Sequence, residues 1–367
     1  MVKFAIIINK WLLLHTVRQY IRSEVVFMKQ TSNIMSKNSF FKLILTAAAV
    51  VMLVASCGGE KQSPFRKDSK GNTVPVEDYV GVVVDETFRP IFEILVNDFR
   101  DRNPNAFTDA VYVPEDSAVK MMLADSVRSI VVTRRLDQNE KNYLRAKHNL
   151  VPKEGIVAFD AVTLIANPAN SDSLISVAEI KQILQGKITD WSQLRHNNGQ
   201  KGEIEIVFDN NGSSTVRYMQ DSLCAGGKLK GKLRAAKTYD ELIRYVSHKK
   251  NTIGVLGVDW VGNPKDSTRL SFLTDVRIMK VGAETSSSPD DYYLPYQFYI
   301  STGSYPLTRC LYIITTDPRV RSLEKHFFYY ITDNPNHNNM GQMMILKYSQ
   351  LLPYMAVQSR NVVIKRY

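Results

Sequence analysis

From Ile204 to Leu223 the chain reads IEIVFDNNGSSTVRYMQDSL, a strand pattern that runs through a turn of small residues straight into a helix. The first turn of a helix leaves backbone N–H groups unpaired and carries about half a positive charge, so Gly212, Ser213, Ser214 and Thr215 form a cradle suited to an anion. Three hydroxyls face the same spot, and Arg217 follows one helical turn later. Ser and Thr also cap helices that hold nothing. What favours the anion is repetition of the design. VVVDE ends at Thr87-Phe88-Arg89-Pro90, with Pro90 suited to a helix's first turn. Val113-Pro114-Glu115-Asp116-Ser117 precedes another helix, and the strand at 129–133 ends in Thr133-Arg134-Arg135. In an open α/β sheet such strand ends converge on one crevice.

Other chemistries lack their residues. None of the six His stands in an H-x-x-x-H or H-E-x-x-H arrangement, and no Cys/His pair has zinc spacing, so no metal is expected. Neither a G-x-x-x-x-G-K-[ST] loop nor a G-x-G-x-x-G turn is present, which argues against a nucleotide cofactor. Ser213 and Ser214 sit where a nucleophile elbow would, but the flanking glycines of G-x-S-x-G are missing; the hydrolase reading with Ser213 or Ser214 as nucleophile is the weaker one, and no enzyme activity is expected.

The 367 residues are 44% hydrophobic and 23% charged, enough for a folded core of two ordinary domains and too apolar for disorder. The formal charge of +11 is concentrated at the start. Residues 1–57 contribute Lys3, Lys10, Arg18, Arg22, Lys29, Lys37 and Lys42 against Glu24, a net +6 that leaves +5 on the rest. That balance suits a partner of small anions and lacks the interleaved basic and aromatic stripe of nucleic-acid grooves, so no nucleic-acid partner is expected.

Residues 43–55, LILTAAAVVMLVA, form an uncharged run behind Lys37 and Lys42, short for a membrane span and apt for an export signal. Leu53-Val54-Ala55-Ser56-Cys57 resembles the lipobox of bacterial lipoproteins, which implies cleavage before Cys57 and its lipidation. Met35 opens a complete n-region and is a candidate start. Residues 58–78 are polar and rich in Gly, Ser and Lys, so a flexible tether is expected. Cys224 and Cys310 lie far apart and read as structural thiols.

From Tyr79 onward β-branched runs alternate with helical patterns. YVGVVVDE is followed by PIFEILVNDF, whose Ile91, Phe92, Leu95, Val96 and Phe99 fall on one face. Ser176 and Glu179 form an S-x-x-E capping box with Gly186 as the stop, and Thr238 caps a further helix. The alternation predicts α/β layers on a largely parallel sheet, with more material than one sheet of usual size holds.

The order of these segments resembles the phosphate-binding substrate-binding proteins of ABC importers, which have the two-lobed type II periplasmic-binding-protein fold. The resemblance rests on DETFRP (85–90), VVTRRL (131–136), AFDAVTLIANPAN (158–170), ISVAEIKQILQGKITDW (175–191), NNGSST (210–215) and NTIGVLGVDWV (251–261). It implies an α/β fold with a ligand cleft between the lobes, 79–158 and 268–367 forming lobe 1 and 159–267 lobe 2. It also implies a monomeric receptor that closes over phosphate or a similar oxyanion and works with an ABC permease, held at the cell envelope by a lipid anchor in the membrane. Thr87, Phe88, Ser213 and Thr215 match the family's anion-contacting positions, Gly212 and Ser214 its turn; Ser117, Thr133, Arg134 and Arg217 complete the expected ligand set. Three positions depart from the family. Asp209 replaces an Arg, Glu115 a Ser, and Thr133 the carboxylate that meets the ligand's proton. The gained acids oppose a dianion unless Arg89, Arg134 or Arg217 reaches in. The alternative is a surface or sensor lipoprotein of the same fold with its phosphate pocket lost or changed.

Overall fold

The computed structural model describes residues 65–67, 73–75 and 79–358, apart from 105–106, 211, 268, 320–321 and 333–337; the export signal and the lipidation of Cys57 lie outside the described residues. Within the stretch expected as a flexible tether, β1 (Phe65–Lys67) and β2 (Thr73–Pro75) pair antiparallel, with Arg66 opposite Val74. The β-branched pair Thr73-Val74 favours the extended backbone that such a ladder needs.

The first lobe begins with β3 (Tyr79–Asp85), α1 (Arg89–Arg102), β4 (Phe107–Val113), α2 (Glu115–Leu123), β5 (Ser129–Val132) and α3 (Gln138–His148). Strand β3 pairs in parallel with β4 on one side and β5 on the other. Its valines are buried on both faces, as a central parallel strand requires. Val80, Val82 and Val84 pack with Ile91, Phe92, Leu95 and Phe99 of α1, while Val83 packs with Ala118, Val119 and Met122 of α2. Burial of each such side chain is worth about 1.5–3 kcal/mol relative to exposure. Pro90 sits in the first turn of α1, where its missing N–H costs no hydrogen bond.

The 14-residue β6 (Lys153–Ala166) leads into β7 (Leu174–Ser176), α4 (Val177–Leu184), β8 (Glu205–Phe208), α5 (Ser214–Tyr218), β9 (Lys232–Ala235), α6 (Tyr239–His248) and β10 (Thr252–Gly257). The capping box forms as expected: Ser176 Oγ accepts from Glu179 N–H at 3.2 Å, and Glu179 Oε2 accepts from Ser176 N–H at 2.8 Å. Gly186, at φ +70°, turns the chain away just past α4. Thr238 caps α6, which buries Tyr239, Leu242 and Val246. Trp191 is fully buried, and its indole N–H donates to Asn251 O at 3.1 Å.

The remaining elements include β11 (Arg277–Ile278), β12 (Lys280–Gly282), β13 (Tyr292–Tyr293), α7 (Gln297–Ser301), β14 (Thr308–Thr315), α8 (Leu323–Ile331), α9 (Met340–Tyr348) and β15 (Leu352–Pro353). The main sheet runs β4-β3-β5-β14-β6-β10-β8-β9. Its flanks are parallel, as the alternation predicts, but its middle is antiparallel: β14 pairs antiparallel with β5 and with Lys153–Ala161 of β6, and β10 pairs antiparallel with Val162–Ala166. A single strand thus belongs to both lobes. The return crossing lies beside it, where Val162 N–H donates to Leu307 O and the Tyr305 hydroxyl to Val162 O, both at 2.8 Å. Val276, Met279, Val281, Ile300, Tyr305 and Leu307 share a core with the helices and strands of the second lobe. The segment from 268, expected with the first lobe, begins instead on the second: β11 pairs with Ile165 and Ala166, and the aromatic run from 292 carries no sign of which lobe it covers.

Candidate functional site

Strands β3 and β5 run opposite to β8 along the shared sheet, so their C-terminal ends face each other and the segments that follow them meet between the lobes. Asp85 closes β3 with a fully buried carboxylate. Its Oδ1 accepts from Thr87 N–H at 3.1 Å and lies 3.0 Å from Thr87 Oγ1. The Thr87 hydroxyl also reaches the second lobe, 3.3 Å from Ser214 Oγ and 2.9 Å from the Tyr239 hydroxyl. Gly257 makes this approach possible. A Cβ there would lie 2.5 Å from Thr87 Cγ2, so any larger residue would push Thr87 out of the cleft.

Across the cleft, Ser213 is the N-cap of α5 and accepts from Val216 N–H at 3.2 Å. Its Oγ lies 2.7 Å from Thr215 Oγ1, which donates to Asp209 Oδ1 at 2.8 Å; the Tyr239 hydroxyl donates to Asp209 Oδ2 at 2.5 Å. Asp209 is thereby satisfied inside its own lobe. Gly212 N–H donates to Asn210 Oδ1 at 3.0 Å, and Asn210 Nδ2 donates to Glu86 of the first lobe.

Glu115, the first residue of α2, is also buried. Its Oε1 accepts from Thr133 N–H at 2.6 Å and Thr133 Oγ1 at 2.8 Å, and its Oε2 accepts from Arg217 Nε at 2.5 Å. Burial alone would raise this carboxyl, but Arg217 and the Thr133 donors outweigh it and hold Glu115 below the ordinary carboxylate range. Arg217 also donates from Nη2 to Thr133 Oγ1 at 2.7 Å. Of the three arginines that could offset the acids, Arg217 does reach the first lobe, and Glu115 takes it.

Thr87, Gly212, Ser213, Ser214, Thr215, Thr133 and Arg217 are therefore brought together. The other three expected residues play different parts. Phe88 is buried in the core of the first lobe. Ser117 is half-buried in the first turn of α2, without a hydrogen bond to the cluster. Arg134 points its guanidinium at Glu140, with contacts of 2.8 and 2.7 Å, at the start of α3. Arg89 lies 3.9 Å from Glu93 and over the Tyr112 ring at 4.4 Å.

Two site residues escape the sequence reading. Arg309 on β14 and Asp160 on β6 are cross-strand partners, both buried, joined by Arg309 Nε donating to Asp160 Oδ2 at 2.7 Å. Burial pushes the Asp160 carboxyl up, against the pull of Arg309. The guanidinium also stands 5.6 Å from the Phe88 ring centre and within electrostatic reach of Asp85 and Glu115. Among the described residues its Nη1 and Nη2 have no hydrogen-bond partner, and neither has Asp85 Oδ2. The signal for both was in the sequence: one acid and one base, each interrupting the apolar run of a central strand. Beside the cluster opens a cavity of about 250 Å³, lined by Glu86, Arg89, Asp209, Lys237, Tyr239 and Trp260 among others. Trp260 stacks on Tyr239 with ring centres 4.1 Å apart. Among the described residues no group of three or more His, Cys, Asp or Glu is placed to hold a metal ion.

Two α/β lobes sharing a sheet, with a buried polar cluster between them, define a binding protein of the two-lobed kind. Residues 71–335 match the family described as PBP superfamily domain, and the chain belongs to that family. Among curated proteins it is 24% identical over 178 residues to Protein SphX of Synechococcus elongatus, covering 47% of this chain and 52% of that protein, so this match spans about half of the relative's length. It is 24% identical over 283 residues to the phosphate-binding protein PstS of Staphylococcus saprophyticus, covering 75% of this chain and 79% of that one. A Clostridium perfringens protein solved with bound phosphate shares its fold with a TM-score of 0.60 at 19% identity, over 75% of this chain and 99% of that chain.

Proposed function

We propose that this protein captures a small oxyanion, phosphate in the first instance, for an ABC-type importer. The observation that carries this reading is the meeting of Thr87 and Ser214, 3.3 Å apart, from two lobes whose strand-to-helix junctions both open on the cleft. Hydroxyls and junction N–H groups placed there supply directed donors, and the adjoining cavity brings Arg89 and Lys237 to its edge together with Glu86, Asp209 and Asp240. The names of the relatives in Staphylococcus saprophyticus and Clostridium perfringens support phosphate as the solute. The role is binding without chemistry: Ser213 meets Val216 N–H and Thr215, Ser214 meets Thr87 and the Asp85 carboxyl, and all of these belong to one buried hydrogen-bonded cluster between the lobes. Thr87, Ser213, Ser214 and Thr215 serve as ligand hydroxyls, Gly212 shapes the turn, and Arg217 with Glu115 and Thr133 ties the lobes together. We assign lobe 1 to residues from 79 to about 160 and from about 308 onward, with the segment between forming lobe 2.

The same reading places the chain at the cell envelope, lipidated at Cys57, as a monomer that hands its solute to a permease. Isothermal titration with inorganic phosphate, arsenate and sulfate tests the solute; saturable heat with phosphate is the expected result, and silence with all three at millimolar concentration overturns the reading.

A further inference from the structure

The cluster between the lobes has fewer hydrogens than close oxygen pairs. Thr87 Oγ1 lies 3.0 Å from Asp85 Oδ1 and 2.9 Å from the Tyr239 hydroxyl, and the latter lies 2.5 Å from Asp209 Oδ2. The Ser214 hydrogen can serve its own contact with Thr87 at 3.3 Å, and the Thr215 hydrogen serves Asp209. Three pairs then remain, Asp85–Thr87, Thr87–Tyr239 and Tyr239–Asp209, for the two hydrogens of Thr87 and Tyr239. Two oxygens at such distances with no hydrogen between them repel, so a third hydrogen belongs on a carboxyl at one end of this chain of contacts. At the Asp209 end, both carboxylate oxygens already accept from hydroxyls. At the Asp85 end, Oδ2 has no partner.

The cleft also holds more acids than bases. Asp85, Glu115, Asp160 and Asp209 stand against Arg217 and Arg309, and all four acids are buried. A buried site of that sign repels a multiply charged anion unless the charge is offset. Arg217 is held by Glu115, whereas Arg309 keeps both Nη groups without a partner.

Resting on the reading that the cleft captures an oxyanion, we propose that the anion enters together with one proton, Arg309 taking its oxygens through Nη1 and Nη2 and Asp85 meeting it as a carboxylic acid. Above pH 7, where Asp85 in the empty cleft is mostly ionised, the proton comes from solvent, forms the O–H bond on Asp85, and returns to solvent when the anion leaves; below pH 7 Asp85 keeps the proton throughout. The charged group facing Asp85 from α2 is Glu115, that from β14 is Arg309, and Tyr239 faces it from α6; Asp160 and Asp209 stand one contact further off. Burial first and Glu115 second push the Asp85 carboxyl up to about 7, against the pull of Arg309 and Ser214. An anion beside it raises that value further, so capture draws in almost no proton at pH 6, where Asp85 already holds one, and close to one at pH 8.

The test is titration of the full chain with inorganic phosphate at pH 6, 7 and 8, in pairs of buffers with unlike ionisation enthalpies, for wild type, Asp85→Asn and Arg309→Lys. Phosphate changes its own charge over this range, so the readout is the difference between wild type and variant. Wild type should take up more protons than Asp85→Asn at pH 8, and its affinity should fall more steeply above pH 7, by up to about tenfold per unit more. Arg309→Lys should bind at least about tenfold more weakly at every pH, because a single ammonium cannot replace two directed Nη groups. Equal proton uptake by wild type and Asp85→Asn overturns the inference, as does an Arg309→Lys affinity within threefold of wild type. If Arg309→Lys does not fold, Asp85→Asn alone decides. Failure of the wild type to bind phosphate at any pH removes the functional reading itself, a different outcome from equal uptake.

Discussion

Two guanidinium–carboxylate pairs stand in the same cleft, one with a half-buried arginine and one fully buried, and they differ in how fully their hydrogens are used. Arg217 and Glu115 join the lobes, and both Glu115 oxygens have donors from Arg217 and Thr133. Arg309 and Asp160 lie inside the shared sheet, joined through one Nε contact, with both Nη groups unpartnered. The first pair is complete in itself and therefore a fastening. The second is buried yet incomplete, which is costly for a structural pair and sensible for one that meets a solute. Charge alone does not separate these roles; the count of satisfied hydrogens does.

The comparison can be broken most decisively at Arg309. Arg309→Met leaves Asp160 buried without a counter-charge and should cost about 3–5 kcal/mol, read from urea midpoints. Arg217→Met should cost clearly less, since its side chain is 27% exposed and its loss admits water to Glu115. Equal losses would erase the distinction.

Next in size is the pH response. The folded Asp85 carboxyl stands at about 7 against an ordinary 3.8, so the folded chain holds more protons between those values, and stability falls as pH rises through that window. Asp85→Asn removes the effect and should gain roughly 2 kcal/mol over wild type on going from pH 5 to pH 8. Glu115 has the opposite sign. Its carboxyl is held below 4.5, so its contribution is present at neutral pH and lost as pH falls into the acid range. Thermal melts of Glu115→Gln should therefore lie below wild type at pH 7, by an amount of about 1 kcal/mol, and converge with it on acidification. Parallel pH profiles for the two variants would count against the division of roles. The smallest effect is expected for Thr215→Val, which takes one hydroxyl from Asp209; a midpoint shift equivalent to about 0.5 kcal/mol would fit the loss of one hydrogen bond.

The elements were readable where local physics decides them. The box at Ser176 and Glu179, the cap at Thr238 and the valine-rich β3 each depend on neighbours within a few residues, and each stands as the spacing requires. The junctions at Thr87 and Ser214 were readable too, because strand-to-helix order alone sends them to one place. What the residues could not reveal was which hydrogen goes where. Glu115 and Asp209 read as obstacles to an anion, and only their three-dimensional partners, Thr133 and Arg217 for the first and Thr215 and Tyr239 for the second, show where their hydrogen bonds are met. Arg134 looked like a ligand and is held instead by Glu140, six residues away. Arg309 and Asp160 are 149 residues apart in the chain, and their pairing is set by the register of β6 against β14, which no local pattern records.

The 14-residue β6 has an implication for how such a protein can change over time. Because side chains alternate along a strand, one residue added or removed near Asp160 would turn the remainder of β6 inside out against β14 or β10. A length change there reaches both lobes and the pairing with Arg309 at once. This strand is a shared spine, and the count of residues between its irregularity at Val157 and its end sets the facing of both lobes.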